Sequence, residues 1–236
     1  MDHTTRLERA RQDGERIVEL CEAHAAAQVP SCPDWDGAGL LSHMTRVWHM
    51  LAMIVEDRRE GFPGKDDFPA RPEPGEEAAA AGAALDRVIT AMAAVEPGTP
   101  MWSWGTTQSS DYFHRRLHLE NLVHRVDAEQ MAGLSPVIDS DEATDAVAER
   151  FEEFVHRRPE RPAGSLHIHR TDGEGEWTVK IVDGSIVVTE EHAKGDAAAR
   201  GSGPDLMLAM WGRGSIDALE VFGAAPLVEE WFALCR

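Results

Sequence analysis

Positive charge is scarce in this sequence. Lysine occurs only at Lys65, Lys180 and Lys194, and 42 acidic residues outnumber 23 basic ones for a net charge of −19. A surface of that sign repels phosphate backbones and anionic lipid, so sequence-independent nucleic-acid binding and electrostatic membrane attachment are excluded as roles. Long apolar runs are missing too. No stretch approaches about 18 uninterrupted hydrophobic residues, so no helical membrane span is expected. The first residues lack the basic-then-apolar pattern of a secretory leader and read as the start of a helix. Cysteine is limited to Cys21, Cys32 and Cys235, which are odd in number, far apart and outside any C-x-x-C pair. That excludes a disulfide framework and makes a reducing cytoplasm the expected compartment. No G-x-S-x-G, phosphate-binding loop or G-x-G-x-x-G stands in usable context, which removes the commonest hydrolase and nucleotide-binding signatures.

What is present divides into two kinds of pattern. The 236 residues suffice for two domains. Apolar residues at helical spacing predict helices over about Thr4–Ala27, from an Asp36 cap to about Arg59, over about Glu76–Val95, Ser110–Ala132 and Ser140–His156. Gly133 is the expected stop of the fourth helix. After RRPERPAG the period changes. SLHIHR, EWTVKI and SIVVTE read as strands joined by hairpins, and GPDLMLAMWG and PLVEEWFALC read as short helices. The expectation is a helical domain over 1–158 and a smaller α+β domain over 159–236, an α+β protein as a whole.

The fourth helix carries the chemistry. At about 100° per residue, Phe113, Leu117, Glu120, His124, Asp127 and Met131 fall on one stripe. Phe, Leu and Met turn that stripe inward, so an acid, an imidazole and a second acid point into the bundle. A carboxylate buried alone costs several kcal/mol, and a cation is the simplest compensator. Glu120 and His124 lie one turn apart and can share one metal ion at roughly 2.0–2.2 Å. His43 is the third candidate ligand, because Leu40, Val47 and Ile54 share its stripe on the second helix. Two imidazoles and one carboxylate leave a coordination position open, as in catalytic zinc sites. Asp127 is placed to orient the ligands. Mutual satisfaction of Glu120, His124 and Asp127 with nearby arginines stands beside this as a metal-free alternative.

The remaining histidines are read differently. His114 and His118 lie about 80–100° round the helix from Glu120 and are expected at its flank or surface. His24 is expected on the inner face of the first helix, in core packing. His167 and His169 alternate along a strand and share a face, which is read as solvated. Cys32 is read as a small buried hydrophobe.

Three segments resemble the mycothiol-dependent maleylpyruvate isomerase family: VPSCPDWDGAGLLSHMTRVWHM, with a Cys-Pro-x-Trp turn before a helix bearing a metal-binding His; LHLENLVHRVDAEQMAG, with Glu-x-x-x-His followed by Asp-Ala; and GSGPDLMLAMWGRGSIDALEVFGAAPLVEEW at the end. The resemblance implies a DinB-like four-helix bundle holding zinc, or another divalent metal, on His43, Glu120 and His124. It implies a sterol-carrier-like α+β C-terminal domain closing over that site, with Arg213, or less directly Arg200, as a functional arginine. It implies cis–trans isomerisation of maleylpyruvate or a similar unsaturated keto acid with mycothiol as thiol cofactor. Transfer of mycothiol sulfur to an electrophile is the alternative, and a non-catalytic metal-binding bundle is a second one. The expected partners are a small-molecule substrate and mycothiol, with no nucleic acid and no membrane.

Overall fold

The structure is a computed structural model that describes residues 1–235. It divides into two compact units, Met1–Pro136 and Val137 onward.

The first unit is a bundle of four helices: α1 (His3–Ala23), α2 (Gly37–Asp57), α3 (Glu77–Ala93) and α4 (Ser110–Met131). Local chemistry sets their ends. Asp36 accepts a hydrogen bond from the Gly39 amide at the start of α2, and Ser109 accepts one from Asp111 at the start of α4. Gly133 adopts φ +74° just beyond α4, where the left-handed turn suits a residue without Cβ. Gly14 serves a different purpose. A Cβ there would lie 2.7 Å from the Leu85 side chain, so glycine is what lets α1 approach α3. Ile17, Leu40, Met44, Trp48, Leu85, Val88, Phe113 and Leu117 fill the centre. Asn121 links three helices: its Oδ1 accepts from the Trp48 indole at 2.9 Å and its Nδ2 donates to Ala10 O at 2.7 Å. Trp102 and Trp104, in the loop before α4, pack against Phe62, the first edge-on and the second tilted, and Trp104 meets Tyr112 and Phe113 edge-on. They fill the end of the bundle where α4 begins.

The second unit opens with α5 (Ser140–Glu149), which continues as a π-helical turn (Arg150–Phe154) and a 3-10 turn (Val155–Arg157). A five-stranded sheet follows, with β1 (Leu166–Arg170), β2 (Glu176–Val182), β3 (Ser185–Thr189), β4 (Ala197–Gly201) and β5 (Glu220–Gly223) in the order β3-β2-β1-β4-β5. β1 and β4 run parallel and the other neighbours antiparallel. The β2–β3 hairpin turns on Asp183 and Gly184, both at positive φ, as a two-residue primed turn requires. Leu166, Ile168, Trp177 and Val179 form a buried apolar face. Helix α6 (Gly203–Met210) contacts β4, and α7 (Ala225–Ala233) lies against β1, β4 and β5.

Two expectations are corrected here. The boundary falls after Pro136 and not at 158, because α5 packs on α6 and its first-turn Asp141 pairs with Arg170 of β1 at 2.8 Å. Helical periodicity reports local structure only; tertiary contact assigns the helix to a unit. The sheet also has two strands more than expected. β4 reads AAARG and β5 reads EVFG; alanine has low strand propensity, and pairing with β1 overrides it.

Candidate metal centre

Helix α4 is buried on nearly every side, and the polar stripe predicted for it does point inward: Phe113, Leu117 and Asp127 are fully buried, and His124 and Met131 nearly so. His43, Glu120 and His124 converge. One donor atom from each lies within 4.8 Å of the other two. Nε2 of His124 is 3.3 Å from Glu120 Oε1, and Nε2 of His43 is 3.7 Å from the same oxygen. A tetrahedral ion with bonds near 2.1 Å separates its ligands by roughly 3.4 Å, so these spacings suit one ion with little movement.

The surrounding groups fix how the three residues present themselves. Nδ1 of His124 donates to Asp127 Oδ2 at 2.8 Å, and Ser31 donates its hydroxyl to the other oxygen of Asp127. A proton held on Nδ1 leaves the Nε2 lone pair facing Glu120. Arg116, itself buried, donates to Oε2 of Glu120, which leaves Oε1 toward the imidazoles. Trp35 lays its ring 4.6 Å from that of His43, so the tryptophan of the Cys-Pro-x-Trp turn shields one side of the cluster. Burial alone would raise the carboxyl pKa of Glu120, yet Arg116 and the two imidazoles hold it well below the usual range. Burial likewise opposes charge on His124, and Asp127 and Glu120 together outweigh it and raise its pKa. The position therefore favours a positive charge.

The metal-free alternative leaves one atom unaccounted for. Nε2 of His43 is buried and has no hydrogen-bond partner, because Glu120 is too distant to accept from it. A buried nitrogen aimed at a carboxylate across a gap suits a ligand atom better than a hydrogen-bonding one. The residues present thus fit a divalent cation.

Other sequence expectations met different outcomes. His24 is exposed at the end of α1, so it neither packs in the core nor joins the cluster; the helix ends a turn earlier than its alanines suggested. His114 and His118 are buried and not at the surface. His114 stacks on His3 at 3.8 Å and reaches the carbonyls of Ser110 and Met92, and Nδ1 of His118 meets Arg6 at 3.3 Å. Helix α1 covers that side of α4, which periodicity on α4 could not reveal. Arg213 lies in the second unit, in the turn that ends α6, where its Nη1 donates to Trp211 O at 2.8 Å. Arg200, on β4, faces Glu220. Arg116 was missed by sequence reasoning, although its i,i+4 spacing to Glu120 carried the signal. A groove of about 590 Å³ between α2 and the segment before α3 is lined by Ser42, Arg46, His49 and Phe68 among others, and by none of the three converging residues.

Residues 7–129 match the family model described as the mycothiol maleylpyruvate isomerase N-terminal domain, and residues 141–230 match the one described as the MDMPI C-terminal domain. No curated protein and no solved structure matches the chain.

Proposed function

Because the chain belongs to the mycothiol maleylpyruvate isomerase family, we propose that it is a metal-dependent enzyme that uses mycothiol to isomerise a small unsaturated keto acid of the maleylpyruvate type. Its fold is α+β with a DinB-like helical unit at the N-terminus. His43, Glu120 and His124 are the residues that would hold zinc or another divalent ion, and the orphaned Nε2 of His43 is the observation that carries this reading. When bound, the ion and mycothiol supply a sulfur nucleophile near neutral pH for reversible addition to a conjugated double bond, which frees that bond to rotate.

The chain's own residues prepare the site. Asp127 holds His124 in the tautomer that offers Nε2, and Arg116 holds Glu120 so that a single oxygen faces the imidazoles. Among the described residues no fourth His, Cys, Asp or Glu completes this cluster, which favours a site that accepts a ligand from solution over a closed structural one. Arg213 is assigned to the substrate carboxylate, which a guanidinium pairs in two-pronged fashion. Cys21, Cys32 and Cys235 form no disulfide, and among the described residues no helix is long and apolar enough to cross a membrane; the cytoplasm is the proposed compartment.

The test combines metal analysis with turnover. Wild-type protein is expected to bind zinc and to isomerise maleylpyruvate only when mycothiol is supplied. His124→Ala is expected to lose the bundle-bound zinc and the activity together. Unchanged turnover in His124→Ala overturns the proposal, and consumption of mycothiol in proportion to a generic electrophile, without isomerisation, assigns the chain to thiol transfer.

A further inference from the structure

A second histidine cluster lies in the other unit, on the sheet face opposite the apolar one. In the β1–β2 register His169 stands directly across from Glu176, and His167 across from Thr178. The alternation of β1 puts both imidazoles on the side of Glu176. His192 comes from the segment 190–196 that joins β3 to β4. That segment returns closely along β1: a Cβ at Gly195 would lie 2.8 Å from the His167 amide nitrogen, so glycine is required for the approach.

The four side chains meet at one atom. Oε1 of Glu176 lies 2.8 Å from His167 Nε2, 2.8 Å from His169 Nδ1 and 2.5 Å from His192 Nδ1. A carboxylate oxygen has two lone pairs, so three imidazole donors oversubscribe it. A divalent ion removes the conflict, because each nitrogen then gives a lone pair to the metal and the oxygen becomes one ligand among four. The donor atoms already lie within 4.8 Å of one another. A tetrahedral ion needs them roughly 3.4 Å apart, so the carboxylate oxygen and the imidazoles must separate by about 0.6–0.9 Å. Both carriers of that adjustment have room: His192 is 80% exposed, and Glu176 lines an open groove. Glu174, Glu190 and Glu191 line the same groove and lower the potential for an arriving cation.

We propose that His167, His169, Glu176 and His192 form a second divalent-metal site, of the borderline type that takes Zn²⁺, which fastens the segment 190–196 to β1 and β2. Three imidazoles and a carboxylate fill a tetrahedral shell, so the role is structural, unlike that of the three-ligand cluster in the bundle. The site does not depend on the reading of the bundle cluster, and no residue is shared between them.

Equilibrium titration of the chelator-treated full chain with Zn²⁺ tests it. Wild-type protein is expected to bind two ions per chain. His124→Ala is expected to keep the sheet ion, and His169→Ala/His192→Ala the bundle ion. His192→Ala alone changes only an exposed loop side chain, so it reports on the site without endangering the fold. Co²⁺ added to His124→Ala is expected to give the intense visible absorption of a four-coordinate site, and to lose it in His124→Ala/His192→Ala. Wild-type stoichiometry in His169→Ala/His192→Ala, or no visible Co²⁺ band in His124→Ala, overturns the proposal.

Discussion

In the bundle, Glu120 gives one oxygen to Arg116 and turns the other toward two imidazoles that stand 3.3 and 3.7 Å away. On the sheet, Glu176 presents a single oxygen to three imidazoles at 2.5–2.8 Å. The first arrangement holds its donors apart near the spacing of a metal shell, and one nitrogen has no other partner. The second has closed on itself. Rigid helices account for the difference: Glu120 and His124 are one turn apart on α4, and both are locked by buried neighbours, Arg116 and Asp127. The sheet cluster depends instead on an exposed loop residue, His192, that already touches Glu176 and has room to shift outward. A metal would therefore meet a prepared site in one unit, and in the other it would first have to displace hydrogen bonds. Zinc is expected to leave the sheet before the bundle as chelator is raised.

The largest break in this comparison comes from Glu120→Ala. Turnover is expected to fall by far more than the roughly 100-fold that an orienting residue commands, with far-ultraviolet circular dichroism unchanged and the sheet stoichiometry intact. Asp127→Asn comes next. It removes the carboxylate charge and replaces one of the two oxygens that accept from His124 and Ser31 by an amide NH2, and is expected to weaken metal binding at the bundle by about 10–100-fold, read by competition with a chromophoric chelator. Asn121→Leu is smaller and acts on stability. It leaves the Trp48 indole N–H buried without its partner and is expected to cost about 1–3 kcal/mol in denaturant unfolding.

The smallest effect concerns the response of the second unit to acid. Asp172 accepts from Ser140, Arg170 and the Gly203 amide, and these bonds hold its carboxyl far below its ordinary value. A depressed carboxylate contributes stability that is complete above the unfolded pKa of about 3.9 and fades as the pH falls below it. The second unit is therefore expected to loosen as the pH drops below about 4. Asp172→Asn should flatten that dependence, as followed by thermal melting across the acid range.

Much of the candidate site was legible because its logic is local. Glu120, His124 and Asp127 share a face by helical geometry alone, and His43 was found because a polar residue interrupted an apolar stripe. Arg116 carried the same i,i+4 signal and was passed over. The burial of His114 and His118 was not legible, because it depends on α1 covering the flank of α4. The third and fourth members of the sheet cluster were equally hidden. His167 and His169 share a face by strand alternation, but Glu176 joins them only through strand register and His192 only through the course of a loop.

Chain-local periodicity, caps and glycines thus determined where most helices run, which side of α4 turns inward and where the β2–β3 hairpin reverses. Tertiary structure alone decided that α5 belongs with the sheet, that an alanine strand pairs beside β1, and which distant side chains meet at Glu120 and Glu176. The physical reason is range: backbone propensity and side-chain phase act over a few residues, whereas burial and ligand convergence depend on segments brought together only by folding.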